Sequence, residues 1–215
     1  MIKKLYWQNP EDIKVLCDML KKDEIVISST DTIYGFLGAI SQASWDTINK
    51  LKEVDEKRPF LILIYSLTHL SHFVDMDAIS EKTIRFISFC WPGPVTFIFN
   101  VKKDTPQFLS SEKGTVALRC PDHEGLQRLL HEFNGLFSTS ANKSGQTPPA
   151  FFNQIAPDLL KQVNCVVVDE QESDITKAST LIDLSDPDYS KDFPFTVIRE
   201  GAYCKSKLQE IYSRA

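Results

Sequence analysis

The densest chemistry in the chain lies in one run, Phe137-Ser-Thr-Ser-Ala-Asn-Lys-Ser-Gly-Gln-Thr-Pro-Pro149. Ser138, Thr139, Ser140, Asn142 and Ser144 bring hydroxyls and an amide within a few residues, and Lys143 adds a charge. Such side chains compete with the backbone for hydrogen bonds and disfavour regular structure. They suit the cradling of phosphate oxygens or of a nucleotide, and Gly145 lets a ligand approach the backbone. The same composition also describes a polar surface turn ended by a proline pair. Further polar or cationic residues close apolar runs elsewhere: Thr30 and Thr32, Arg119, Ser179 and Thr180, and Arg199. Loops at strand ends line the ligand crevice of α/β sheets. Five such edges can therefore converge on one cavity, where two arginines and a lysine suit an anion. Arg119 has two readings, a structural pair with a carboxylate or a planar fork for a substrate carboxylate.

The elements that must position these groups follow from apolar spacing. Asn9-Pro10 reads as an N-cap and first turn, with Ile13, Leu16, Cys17 and Leu20 at helical spacing behind it. Glu24–Thr30 reads as a short β-branched strand running into a glycine-containing loop, Asp31-Thr32-Ile33-Tyr34-Gly35-Phe36-Leu37-Gly38. Ser41–Lys52 reads as a helix ending in Lys50 and Lys52, ahead of a charged loop through Arg58. Phe60–Tyr65 is too apolar for an edge and reads as a central strand. Helices are expected over Ala78–Phe89 and Glu124–Phe133, with a partly helical stretch over Ala150–Val163. Strands are expected over Val95–Val101, Thr115–Arg119, Cys165–Asp169, Ala178–Asp183 and Pro194–Gly201, and a charged loop over Glu170–Lys177.

With 215 residues, 42% hydrophobic and 25% charged, the chain suits one α/β-sized domain with a full core. A net charge of -5 removes any whole-protein basic footprint for nucleic acid, leaving room only for a local basic cavity. No apolar run approaches the ~20 residues of a membrane helix. The start carries no apolar signal core, so the expected location is cytoplasmic, with no membrane partner. Cys17, Cys90, Cys120, Cys165 and Cys204 show no paired spacing and read as reduced, mostly buried thiols. His69, His72, His123 and His131 form no cluster of metal-ligand spacing, so no structural metal is expected.

The ordered motifs resemble the YrdC-like domain of the threonylcarbamoyl-adenylate synthases. They are Ser29-Thr-Asp-Thr-Ile-Tyr-Gly35 (usually Pro-Thr-Asp-Thr-x-Tyr-Gly), Trp91-Pro-Gly-Pro-Val-Thr96, Thr115-Val-Ala-Leu-Arg119 with Pro121, and Ser138-Thr-Ser-Ala-Asn-Lys-Ser-Gly145. Ser179-Thr180 and Arg199-Glu-Gly201 match the later elements. The resemblance covers nearly the whole chain. It implies a single α/β domain over residues 1–215, a twisted mixed β-sheet flanked by helices around a large cationic cavity, with no additional C-terminal domain. It also implies a reaction in which L-threonine, bicarbonate (or CO2) and ATP, with Mg2+, give threonylcarbamoyl-adenylate and pyrophosphate. A downstream threonylcarbamoyl-transferase complex then passes the group to an adenosine of tRNA, and a tRNA or double-stranded RNA contact belongs to the expected partners.

Carried over by motif, Thr32, Arg119 and Ser179 hold threonine, with Arg119 on its carboxylate. Lys52, Ser140, Asn142, Ser179 and Arg199 hold ATP, and Lys52 and Arg119 are the expected catalytic cations. One departure stands out. The family usually shows Lys-x-Arg-Pro where this chain reads Lys52-Glu53-Val54-Asp55. Lys57 or Arg58 is the expected compensating cation. The rival expectation is a YrdC-like nucleotide- or RNA-binding paralogue without synthase activity. A carbamoyl-transfer enzyme is disfavoured, because no acylphosphatase-like or zinc-finger segment is present.

Overall fold

The computed structural model describes residues 2–54, 59–169, 177–188 and 190–215. Asp55, Lys57, Arg58 and most of the expected Glu170–Lys177 loop lie outside the described residues. The strands are β1 (Lys3–Tyr6), β2 (Val26–Ser28), β3 (Gly35–Ala39), β4 (Leu61–Leu63), β5 (Val95–Asn100), β6 (Thr115–Arg119), β7 (Leu136–Ser140), β8 (Cys165–Val168), β9 (Thr180–Asp183) and β10 (Thr196–Arg199). The α-helices are α1 (Pro10–Leu20), α2 (Gln42–Lys52), α3 (Glu81–Cys90), α4 (Glu124–Leu130), α5 (Pro157–Leu160) and α6 (Lys205–Ser213). All ten strands join one mixed sheet in the order β1-β8-β2-β3-β7-β4-β6-β5-β9-β10. The Phe60–Tyr65 run supplies β4, which is central between β7 and β6 as its apolar character demands.

Both faces of the sheet are buried. Successive side chains point to opposite faces, so Ile27, Phe36, Ile62 and Val166 enter one core while Val26, Leu37, Leu63 and Val167 enter the other. Leu16 and Leu20 of α1 and Leu126, Leu129 and Leu130 of α4 cover the second core. Ile48 and Leu51 of α2, Phe86 and Ile87 of α3, and Leu208 and Tyr212 of α6 cover the first. Asn9 caps α1 by accepting from Glu11 N at 3.0 Å, as the Asn-Pro pair predicts. Among the described residues no helix is long and apolar enough to cross a membrane. All five cysteines are free, and all but Cys204 are buried.

Two strands differ from the sequence reading. The reading of Asp31–Gly38 as a glycine-containing loop gives way at its second half, since Gly35–Ala39 is the fully paired strand β3. A Cβ on Gly35 would stand 2.9 Å from Thr139 O, so glycine is what lets the β7 backbone approach. Lys3–Tyr6, which carried no strand expectation, pairs in parallel with β8.

The register places the expected site residues on opposite edges of the sheet. Ser28, Gly35 and Ser140 are level with one another at one edge. Leu63, Arg119 and Leu136 are level at the other, and Ser179 and Arg199 flank the strand ends on Arg119's side. A five-residue strand separates such edges by about 13 Å in a flat sheet. Four inter-strand steps lie between β2 and β6, and about 20–25° of twist per step turns them roughly crosswise. The loop Ser29–Tyr34 from one edge and the segment Cys120–His123 from the other then meet over the sheet.

Candidate active site

The first group assembled is built on the end of α2. Lys52 is its last residue, and Glu53 closes it in the left-handed region at φ 50°. This stop aims the lysine across to the Ser140–Asn142 turn. Its Nζ donates to Ser140 O and Asn142 O, both at 2.9 Å, and Ser144 N returns a bond to Lys52 O. Lys52 is 9% exposed, and burial pushes its pKa down to about 8. Among the described residues no carboxylate pairs with it. Among the described residues its charge meets two carbonyl dipoles, which leaves it able to attract an anion. Asn142 is knitted into the same turn, its Nδ2 donating to Lys143 O at 2.9 Å and Gln146 O at 2.8 Å, while its buried Oδ1 has no partner among the described residues. Lys143 does not join this group. Its Nζ lies 2.8 Å from both Glu53 Oε1 and Asp158 Oδ2, and those bonds raise its pKa, so it braces the turn from outside.

The second group centres on Arg119. This residue is 3% exposed. Its Nη1 donates to Thr32 Oγ1 at 3.0 Å, and its Nη2 lies 3.3 Å from Asp31 Oδ1. Thr30 Oγ1 donates to Ile33 O at 2.8 Å, so at the 3.1 Å contact between Thr30 and Thr32 it is Thr32 that donates. The chain of hydroxyls therefore runs outward from the guanidinium and fixes the Ser29–Tyr34 loop. Of the two readings of Arg119, the carboxylate pairing is what the fold displays. Arg119 Nε nevertheless has no hydrogen-bond partner among the described residues.

Ser179 and Arg199 come from the β9 and β10 side. Ser179 Oγ lies 2.8 Å from Thr96 Oγ1, and Arg199 Nη2 donates to Ser179 O at 2.9 Å. Arg199 as a whole residue is exposed, and partial burial of its guanidinium, with a smaller repulsion from Arg119, lowers its pKa. Gly201 seats this corner: a Cβ there would stand 2.6 Å from both Ser179 C and Ser179 O, and would press on Ala178 O as well. Backbone cannot yield as a side-chain tip can. Gly201→Ala is therefore expected to cost ~1–3 kcal/mol or more and to displace Ser179, read as a lower melting temperature together with weaker nucleotide binding. An unchanged melting temperature would show that the corner is loose.

A cavity of about 610 Å³ opens beside Thr30 and Asp31, walled also by Trp7, Pro94, Asp122, His123, Asp169 and Tyr203. Its floor is a polar network that the sequence reading missed. Trp7 Nε1 donates to Ser29 Oγ at 3.0 Å, Ser29 Oγ donates to Asp169 Oδ2 at 2.7 Å, and His123 Nε2 lies 3.0 Å from the same oxygen. His123 Nδ1 accepts from Leu126 N, so Nε2 carries the proton of the neutral ring. Burial opposes the Asp169 charge, but the bonds from His123, Ser29 and Gln8 outweigh it and lower the pKa. The available signal was Asp169 itself, a charge closing the apolar run Cys165–Val168. Among the described residues no group of three or more His, Cys, Asp or Glu side chains is placed to hold a metal ion.

The arrangement is an α/β domain with two polar clusters at its strand ends, Lys52 on the Ser140–Asn142 turn and Arg119 with Asp31 and Thr32. The 610 Å³ cavity is lined by Asp31, Asp122, Glu124 and Asp169 and not by Lys52, Arg119, Ser140, Asn142, Ser179 or Arg199. The family model described as "Telomere recombination" (Sua5, YciO and YrdC) matches residues 18–201, and the chain belongs to this family. A Methanocaldococcus jannaschii protein, which carries the name threonylcarbamoyl-AMP synthase provisionally, is 29% identical over 211 residues, 95% of both chains. The threonylcarbamoyl-AMP synthase of Pyrococcus abyssi is 25% identical over 93% of this chain and 56% of its own length. The solved structure of P. abyssi Sua5 complexed with L-threonine superposes with a TM-score of 0.84 at 23% identity, over 98% of this chain and 60% of that one. This last likeness is one of fold.

Proposed function

We propose that the chain is an L-threonylcarbamoyladenylate synthase, a nucleotidyltransferase acting on L-threonine, bicarbonate or CO2, and ATP. The observation that carries this reading is Lys52, a buried ammonium with no carboxylate partner among the described residues, fixed by carbonyls of the Ser140–Asn142 turn. Such a charge is suited to the phosphates of ATP, and Arg199, repelled by Arg119, gains when an anion comes between them. Asn142 and Ser140, which belong to the turn that holds Lys52, are the other residues of the ATP side in this reading. Thr32, Arg119 and Ser179 are the threonine side, with Arg119 Nε the donor left for its carboxylate.

In this reading the threonine nitrogen attacks the carbon of CO2, an N–C bond forms and an amine proton leaves. A carbamate oxygen then attacks the α-phosphorus, and the bond to the β-phosphate breaks to release pyrophosphate. The chain supplies no nucleophile. Its residues align the reactants and offset phosphate charge, and a recessed site protects the labile carbamate and mixed anhydride from water. Magnesium would enter as part of the substrate MgATP and would offset phosphate charge there. The donor set fits that role rather than a protein-built cage, since magnesium typically keeps several waters and binds with substrate phosphates. The product passes to a threonylcarbamoyl-transferase complex acting on tRNA in the cytoplasm.

The direct test is pyrophosphate release from purified protein with MgATP and bicarbonate, with and without L-threonine. Threonine-dependent release is expected. ATP binding without release would favour the second reading, a nucleotide- or RNA-binding paralogue. The observation on that side is Val54, a half-buried apolar residue at the family's arginine position.

A further inference from the structure

The carboxylate of Asp31 has no role in the reading above, yet it is the most exacting group in the neighbourhood. It is 6% exposed and lines the 610 Å³ cavity. Its Oδ2 accepts from Asp122 N at 3.2 Å. Its Oδ1 lies 3.3 Å from Arg119 Nη2 but out of hydrogen-bond alignment, and it has no hydrogen-bond partner among the described residues. Arg119 shows the mirror image, with Nη1 used and Nε free of any such partner. A buried polar atom without a partner is costly, and a native fold that keeps two of them side by side is holding them for something. The two left over are one acceptor on an anion and one donor on a cation.

A free α-amino acid presents the complementary pair, an ammonium and a carboxylate on one carbon. We propose that Asp31 is the receptor for the substrate's α-ammonium, with Oδ1 accepting from it while Arg119 Nε donates to the substrate carboxylate. The four charges then alternate in sign around a closed square, so each has two opposite neighbours and its like only across the longer diagonal. The wall supports the ammonium side of the assignment, since Asp122 and Asp169 join Asp31 around the cavity and Arg128 is tied to Glu124, while Arg119 is not among the lining residues and meets the cavity through Asp31. This inference rests on the synthase reading and deepens it. It makes Asp31 the residue that recognises an amino acid rather than a hydroxy acid.

The test is calorimetry with L-threonine and with β-hydroxybutyrate, which keeps the carboxylate and hydroxyl but lacks the amine, on wild type and Asp31→Asn. Wild type is expected to prefer L-threonine by at least about tenfold. Asp31→Asn is expected to weaken L-threonine by about thirtyfold or more, in line with truncation of a buried charged pair, and to change β-hydroxybutyrate by less than about threefold. An equal loss for both ligands would mean that Asp31 only orients Arg119, which overturns the proposal, as would no loss for either. Should Asp31→Asn fail to fold, the wild-type preference decides, and equal affinity for the two ligands rejects an ammonium receptor. Wild type that binds ATP but not L-threonine would overturn the synthase reading itself, whereas threonine binding indifferent to Asp31→Asn overturns this proposal alone.

Discussion

Arg119→Ala is expected to destabilise the fold by about 3–5 kcal/mol, because it strands the Asp31 carboxylate in the interior without its cation. Asp31 and Arg119 are 6% and 3% exposed, so water solvates the remaining charge only in small part. In a chain of this size each kcal/mol moves the melting temperature by about 2–4 °C, so a drop of roughly 6–20 °C follows. Thr32 also loses its donor, which loosens the Ser29–Tyr34 loop. Removing both charges is a different matter. Arg119→Met combined with Asp31→Leu is expected to recover much of the lost stability, as buried ion pairs replaced by apolar groups often do, while threonine binding stays absent. Thermal melts of the single and double variants, with threonine calorimetry on each, check the pair of statements. A single variant melting within about 2 °C of wild type would refute the buried pair as a determinant of stability.

Lys52→Met is expected to lower threonine-dependent pyrophosphate release by about 10²–10³-fold, the usual loss when one preorganised charge on a reacting group is removed. Stability should change far less. The substitution gives up two bonds to carbonyls, but it also removes an ammonium that burial disfavours, and Ser140 O keeps a bond from Asn142 N. The pH dependence gives a second check. With its pKa lowered from 10.5 to about 8, Lys52 is charged below about pH 8 and neutral above it in the free protein. ATP affinity is therefore expected to hold below pH 8 and to weaken above it. Across the same interval, up to about 10.5, the unfolded chain binds the proton more readily than the folded one, so this group's contribution to stability rises with pH. Opposite slopes for ATP affinity and stability, both abolished in Lys52→Met, are the signature to look for. An ATP affinity flat from pH 7 to 10 would remove Lys52 from the phosphate site.

Much of this was legible in the sequence because the residue types were constrained twice, by pattern and by chemistry. Phe60–Tyr65 could only be central, and Asn9-Pro10 could only start a helix. Lys52, Arg119 and the Ser138–Gly145 run stood out as polar groups closing apolar elements. Less legible was anything that depended on the partner strand. The strand at Gly35–Ala39 looks like loop until β7 is seen to press on Gly35. Lys143 looked as available to a phosphate as Lys52, and only the packing of Glu53 and Asp158 around it turns it away. Asp31 sat inside a recognised motif without a role, since nothing local reveals that Arg119 will come to rest against it. Lys57 and Arg58, offered as replacements for the missing arginine at Val54, lie outside the described residues and remain a proposal.

The crosswise meeting of the two sheet edges has a consequence for how the protein reaches its working state. The bonds that close the site join residues very far apart along the chain: 87 positions for Arg119 to Thr32, and 88 and 90 for Lys52 to Ser140 and Asn142. Separations of this size raise the contact order, so the site is built from the kind of non-local contact that slows folding. A ligand that bridges the two edges therefore clamps the whole sheet rather than one loop, and its binding energy appears as resistance of the entire chain to unfolding.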